Sequence, residues 1–130
     1  MKVVGRSRSE PGGRPADKDA VDLGTGDGRF VLGLGRREPG TLAIGIDANV
    51  DGMAEASRKA PPNALFVRAS LEALPEELSG LADEVTVNFP WGSLLRGLLE
   101  PGADAVRAVR SLCRAGAELR ITTSIDAARD

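Results

Sequence analysis

The chain has no histidine and no tyrosine, and cysteine occurs once, as Cys113. Without histidine there is no Ser-His-Asp triad, no Cys-His dyad and no histidine-ligated zinc. One cysteine forms neither an internal disulfide nor a cysteine-cluster metal site. Any chemistry must run on carboxylates, Lys or Arg, backbone groups, or a cofactor that brings its own reactivity. Long apolar runs are missing too. The first residues offer only Val3-Val4, and nothing approaches the roughly 20 apolar residues of a membrane span. The expectation is a cytoplasmic protein with no membrane partner and no metal. Net charge is −2, which argues against holding nucleic acid by bulk positive charge but leaves local patches open. Aromatics are 3% of residues, so each one is worth a question, above all the single Trp91.

What is present fits one globular domain: 130 residues, 42% hydrophobic and 28% charged,. Residues 1–19 form a basic arm, broken by Pro11-Gly12-Gly13 and Pro15,. Met1–Val4 has the pattern of a short strand turning at Gly5. From residue 20 to 130 short apolar runs alternate with helical stretches. Strands are expected at Ala20–Leu23, Leu42–Ile46, Ala64–Val67, Val85–Phe89 and Ala117–Thr123, the last half-buried through Leu119 and Ile121. Helices are expected at Arg29–Arg37, Val50–Lys59, Ser93–Leu99 and Ala103–Arg114, with short helical turns over Leu71–Leu81. Val106, Val109 and Cys113 share one face of the last helix, which places Cys113 in the core. This order predicts an α/β fold, a parallel sheet wrapped on both faces by right-handed crossovers.

Three motifs stand at carboxyl ends of strands, where open α/β sheets bind ligands. The first is Asp22-Leu-Gly24-Thr25-Gly26-Asp27-Gly28-Arg29. Its glycines permit tight turning and close approach of a ligand near a helix N-terminus. The spacing is not the dinucleotide G-x-G-x-x-G, and two acids beside the loop suit a cationic ligand better than a pyrophosphate. The second is Asp47, a carboxylate placed either to accept ribose hydroxyls or to cap the following helix. The third is Asn88-Phe-Pro-Trp91. Trp91 either stacks on a base or packs in the core. Asn88 either holds a substrate amide or amine, or caps the next helix. Glu72 is a candidate for cofactor adenine or a plain surface residue.

Asp22-Leu-Gly-Thr-Gly-Asp-Gly-Arg29, Gly45-Ile-Asp47 and Phe89-Pro-Trp-Gly-Ser-Leu-Leu-Arg96 resemble the aminoglycoside-resistance 16S rRNA methyltransferases of the kanamycin–apramycin (Kam/Npm) type. The spacing fits across Ala20–Ser124, and Val3-Val4-Gly5-Arg6 resembles that family's N-terminal hairpin. The resemblance implies a Rossmann-like class I methyltransferase fold with sheet order 3-2-1-4-5, here without the last two strands. It implies S-adenosyl-L-methionine as cofactor and N1 of the decoding-site adenine 1408 of 16S rRNA, in the 30S subunit, as methyl acceptor. By resemblance Asp22, Gly24, Thr25 and Gly26 hold the methionine part, with Asn88 beside them. Asp47 and Ala48 take the ribose, Ser70, Leu71 and Glu72 line the adenine pocket, and Trp91 stacks on the flipped target base. Trp91 and Asn88 are then the catalytic candidates, and Arg6, Arg8, Arg58, Lys59, Trp91 and Arg96 the RNA-binding ones. The loop Arg58–Asn63 lacks the family's lysine-rich insertion, and the family's second stacking Trp has no counterpart after Trp91. This predicts cofactor binding with poor methylation of 30S subunits.

The chemistry is consistent with the resemblance. A sulfonium is already an activated methyl donor, and adenine N1 attacks without first losing a proton, so alignment suffices and no histidine is needed. Two other readings stay open: an amino-methyltransferase that uses Asn88-x-Pro-Trp to hold an exocyclic amine, and a cofactor-binding chain that turns over nothing. An NAD dehydrogenase fits least, because the third glycine is misplaced.

Overall fold

A computed structural model describes residues 17–89 and 104–123. The elements are β1 (Lys18–Leu23), α1 (Arg29–Arg37), β2 (Thr41–Asp47), α2 (Val50–Lys59), β3 (Ala64–Arg68), a 3-10 turn (Glu76–Leu78), β4 (Ala82–Phe89), α3 (Asp104–Leu112) and β5 (Cys113–Thr123). The strands pair in parallel in the order β3-β2-β1-β4-β5. The expected fold and strand order are therefore met. The expected strand at Met1–Val4 and helix at Ser93–Leu99 lie outside the described residues.

Alternation along the strands divides the core into two layers. Val21, Leu23, Leu42, Ile44, Ile46, Val67, Val85 and Val87 face α3 and the 3-10 turn, where Leu78, Ala108, Val109 and Leu112 close over them. The opposite face carries smaller residues, Ala20, Ala43 and Ala64 with Phe66, beneath Val31, Leu32 and Leu34 of α1 and Met53 and Ala56 of α2. Small side chains let those two helices approach the sheet closely. Helix α1 forms over its expected span despite Gly33 and Gly35. Asn63 secures its end, donating from Nδ2 to the carbonyls of Gly35, Glu38 and Thr41 at 2.9, 3.1 and 2.8 Å.

Three expectations need correction. The last helix stops at Leu112, and Cys113 opens β5, half-buried beside the core rather than on a helix face. Cys113 pairs with Ala82, but the next registered pair is Glu84 with Glu118, so four residues of β5 bulge out against one of β4. Gly116, at φ +83°, makes the bulge,. Leu119 and Ile121 point to the expected face, in register with Val85 and Val87, but remain 43% and 40% exposed. β5 is the edge of the described sheet, and α3 covers its neighbour β4 instead. The first strand also starts earlier than Ala20, so Lys18 and Asp19 belong to the sheet.

Candidate active site

The site is built on the carboxyl ends of β1, β2 and β4. Asp22 lies on β1 between Gly45 of β2 and Thr86 of β4. Its carboxylate is 3% exposed. The Thr86 hydroxyl donates to Asp22 Oδ1 at 2.6 Å, and Asn88 Nδ2 donates to the same oxygen at 2.9 Å. Burial pushes the Asp22 carboxyl above its ordinary range, and the nearby Asp47 charge pushes the same way. Donation from Thr86 and Asn88 opposes both. The Thr25 hydroxyl, which is buried without a hydrogen bond of ordinary geometry, acts in the same direction as those donors,.

The glycine loop is fixed from beneath. The Gly24 and Thr25 amides donate to the Ile46 carbonyl at 2.8 and 2.9 Å. Gly26 N donates to Asp47 Oδ2, and Asn49 N to Asp47 Oδ1, both at 2.9 Å. Asp47 therefore ties the two strand-end loops together while each of its oxygens keeps a lone pair. It does not cap α2, because Asn49 does so, accepting from Asp51 N at 3.0 Å. A Cβ at Gly45 would sit 2.9 Å from Thr25 Oγ1 and 3.0 Å from Phe66, so that glycine makes room for Thr25. Gly28, at φ +82°, would bring a Cβ within 2.7 Å of both Ala56 and Phe66. Above Gly24 and Gly26 the space is open.

The loop after β3 joins this cluster through Ala69 N, which donates to the Asp47 carbonyl at 3.1 Å. Ser70 and Glu72 are exposed and Leu71 is half-buried. Leu71 and Glu72 border a cleft of about 320 Å³ whose far wall is Asp104, Arg107, Ala108 and Ser111 of α3. Ala48 is exposed beside Asp47. Arg58 and Lys59 are not part of the cluster. They end α2, roughly 15 Å from Asp47 at helical rise, and Lys59 is paired with Glu55 at 2.8 Å. Trp91, Arg96, Arg6 and Arg8 lie outside the described residues. Sequence reasoning missed Thr86. Its signal was the spacing Glu84-x-Thr86-x-Asn88, three polar residues on one face of a strand whose other face is Val85 and Val87.

Sheet order, a glycine loop after β1 and an acid ending β2 make a Rossmann-like fold, and the solved structures it superposes on give that fold the class I S-adenosyl-L-methionine-dependent methyltransferase type. Within that class the chain belongs to the family described as NpmA: 16S rRNA (adenine(1408)-N(1))-methyltransferase, whose family model matches residues 13–130. The 16S rRNA (adenine(1408)-N(1))-methyltransferase of Escherichia coli is 34% identical over 116 residues, 83% of this chain and 53% of that protein. The one from Streptoalloteichus tenebrarius is 36% identical over 121 residues, 87% of this chain and 55% of that protein. The chain thus spans about half the length of these curated relatives. The crystal structure of the aminoglycoside resistance methyltransferase NpmB1 superposes with a TM-score of 0.76 at 49% identity, covering 88% of this chain and 59% of that one. A tryptophan-to-alanine variant of the enzyme from Catenulisporales acidiphilia, solved with cosubstrate SAM, gives 0.74 at 35% identity, covering 82% and 51%.

Proposed function

We propose that this chain binds S-adenosyl-L-methionine and directs its methyl group to N1 of adenine 1408 of 16S rRNA in the 30S subunit, which confers aminoglycoside resistance and places the protein in the cytoplasm. The observation that carries the reading is the Asp22 carboxylate: buried, and held on one oxygen by Thr86 and Asn88 at the carboxyl end of β1. That arrangement suits the methionine amine. Asp47, with a lone pair left on each oxygen, suits the ribose hydroxyls. The open space over Gly24 and Gly26 leaves the loop backbone approachable. Leu71 and Glu72, with Ser70, are assigned to the adenine.

When bound, S-adenosyl-L-methionine supplies a sulfonium-activated methyl group. The chain's residues orient it. Asp22 fixes one end by charge and Asp47 fixes the middle by hydrogen bonds. The acceptor N1 carries a free lone pair, so no residue has to remove a proton, in keeping with a chain that has no histidine,. Trp91 is assigned to stack on the flipped adenine, and Arg6, Arg8, Arg58, Lys59 and Arg96 to RNA phosphates. Asn88 is assigned to the cofactor side, because its amide nitrogen donates to Asp22.

Calorimetric titration with S-adenosyl-L-methionine, S-adenosylhomocysteine and NAD in parallel tests the cofactor; saturable binding of NAD alone would overturn the assignment. A primer-extension stop assay on 30S subunits tests the target. A weak stop at adenine 1408 is expected, lost in Trp91→Ala while cofactor affinity is kept. A stop at another nucleotide would replace the proposed acceptor.

A further inference from the structure

We propose that Thr86 is a positioning residue of the cofactor site: its hydroxyl holds one oxygen of Asp22 so that the other stays turned toward the cofactor's amine. The inference rests on the reading of Asp22 as the amine-binding acid. Three observations carry it. Thr86 and Asp22 are registered partners on adjacent parallel strands, so their side chains leave the same face of the sheet side by side. The hydroxyl reaches Asp22 Oδ1 at 2.6 Å, shorter than the 2.9 Å contact from Asn88, and Thr86 is itself buried. Both donors meet on Oδ1, while the Thr25 hydroxyl lies close to the carboxylate without a hydrogen bond of ordinary geometry. Two donors on one oxygen leave the carboxylate a single orientation, in which the second oxygen faces away from β4.

Strand packing alone does not call for a hydroxyl at this position. Val85 and Val87 fill the other face of β4, and valine has the shape of threonine. On the α1 side the polar residues of β4 divide between two tasks. Glu84 is engaged by Lys18 at 2.5 Å and Arg120 at 2.9 Å, so the nearest acid on the strand is neutralised away from the site. Thr86 and Asn88 serve Asp22.

The same contact bears on pH. Burial and the Asp47 charge favour the protonated Asp22, and the Thr86 donor opposes them. The other charged groups around the acid are engaged with each other: Asp27 with Arg29 beside the glycine loop, and Glu84 with Lys18 and Arg120 on the strands. A protonated Asp22 has no charge to offer an amine. Removing the hydroxyl therefore moves the acid limb of cofactor affinity to higher pH.

The test is calorimetric titration of S-adenosylhomocysteine from about pH 5 to pH 8.5, with melting temperatures of the unliganded proteins recorded alongside. Thr86→Val is expected to weaken binding about tenfold at neutral pH and to shift the acid limb upward by about one pH unit, one unit being tenfold. Thr86→Ser is expected to restore both. Should Thr86→Val not fold, Thr86→Ala carries the same expectation. Asp22→Asn is expected to bind more weakly still and to lose the limb. An unchanged affinity and limb in the Thr86 variants, with a clear loss in Asp22→Asn, overturns the role of Thr86 and leaves Asp22 in place. An unchanged affinity in Asp22→Asn overturns both.

Discussion

On the face covered by α1 and α2, the two halves of the sheet are made of different material. β2 and β3 offer Ala43, Gly45, Ala64 and Phe66 to that side, where Ala43, Ala64 and Phe66 pack in the apolar core and Gly45 makes room for Thr25. Across β1, β4 offers Glu84, Thr86 and Asn88 to the same side, and each of these is satisfied laterally, by Lys18 and Arg120 or by Asp22. Registered rows make the contrast concrete: Phe66, Gly45, Asp22, Thr86 and Arg120 follow one another across the sheet. Asp22 stands at the seam. The apolar half locates the glycine loop by close packing, and the polar half orients the acid. A ligand site needs both, because packing alone cannot orient a charge, and hydrogen bonds alone do not exclude water from it.

The apolar half breaks most severely at Gly28. An alanine there combines a left-handed φ of +82° with a Cβ 2.7 Å from Ala56 and Phe66. The backbone penalty and the overpacking together come to about 3 kcal/mol. Gly28→Ala is expected to lower Tm by roughly 12 °C or more, checked by thermal denaturation without ligand. A wild-type Tm would mean that the loop is not clamped between α2 and β3.

Asp47 joins the halves to the ligand. Asp47→Ala removes the acceptor for Gly26 N and Asn49 N as well as the assigned ribose contacts. Cofactor affinity is expected to fall at least tenfold, or about 1.4 kcal/mol. Titration with S-adenosylhomocysteine reads this directly, and unchanged affinity removes Asp47 from the ribose.

Asp22 gives an effect of opposite sign. A carboxyl held above its ordinary range binds its proton more tightly in the fold than in the unfolded chain. Stability then falls as pH climbs from the ordinary value through the raised one, and ionised Asp22 costs stability at neutral pH,. Asp22→Asn keeps an oxygen for Thr86 and Asn88 and removes the charge. It is expected to raise the Tm of the unliganded protein by a few degrees, on the order of 1 kcal/mol, while losing cofactor. The gain should vanish at pH values below the raised range. A lower Tm at neutral pH would show that the acid is paired with a cation in the fold.

The comparison also explains what the sequence disclosed. Helices α1 and α2 have the expected limits because Pro39-Gly40 and Pro61-Pro62 end them locally. The glycine loop, Asp22 and Asp47 were legible because their residue types are demanded by backbone shape and charge at strand ends. Cys113 was not, since helical periodicity runs through Leu112 and gives no warning of the Gly116 bulge that converts the next residue to strand. Thr86 escaped because threonine in a buried strand is ordinary by propensity, and only pairing with β1 reveals its partner. The Glu55–Lys59 pair at the end of α2 is legible only as an i,i+4 spacing,.

The smallest effect is expected where the sheet has an edge. Val85 and Leu119 are registered neighbours on the same face, yet Val85 is fully buried under α3 and Leu119 is 43% exposed. Val85→Ala removes buried methyl groups and leaves a void, at about 2 kcal/mol. Leu119→Ala removes more carbon but from a position already open to water, and is expected to cost under about 1 kcal/mol. Chemical denaturation of the two variants measures the difference, and the ratio should hold at every protein concentration if the edge stays open to solvent. A Leu119→Ala loss equal to or above that of Val85→Ala would show that this face of β5 is covered in solution.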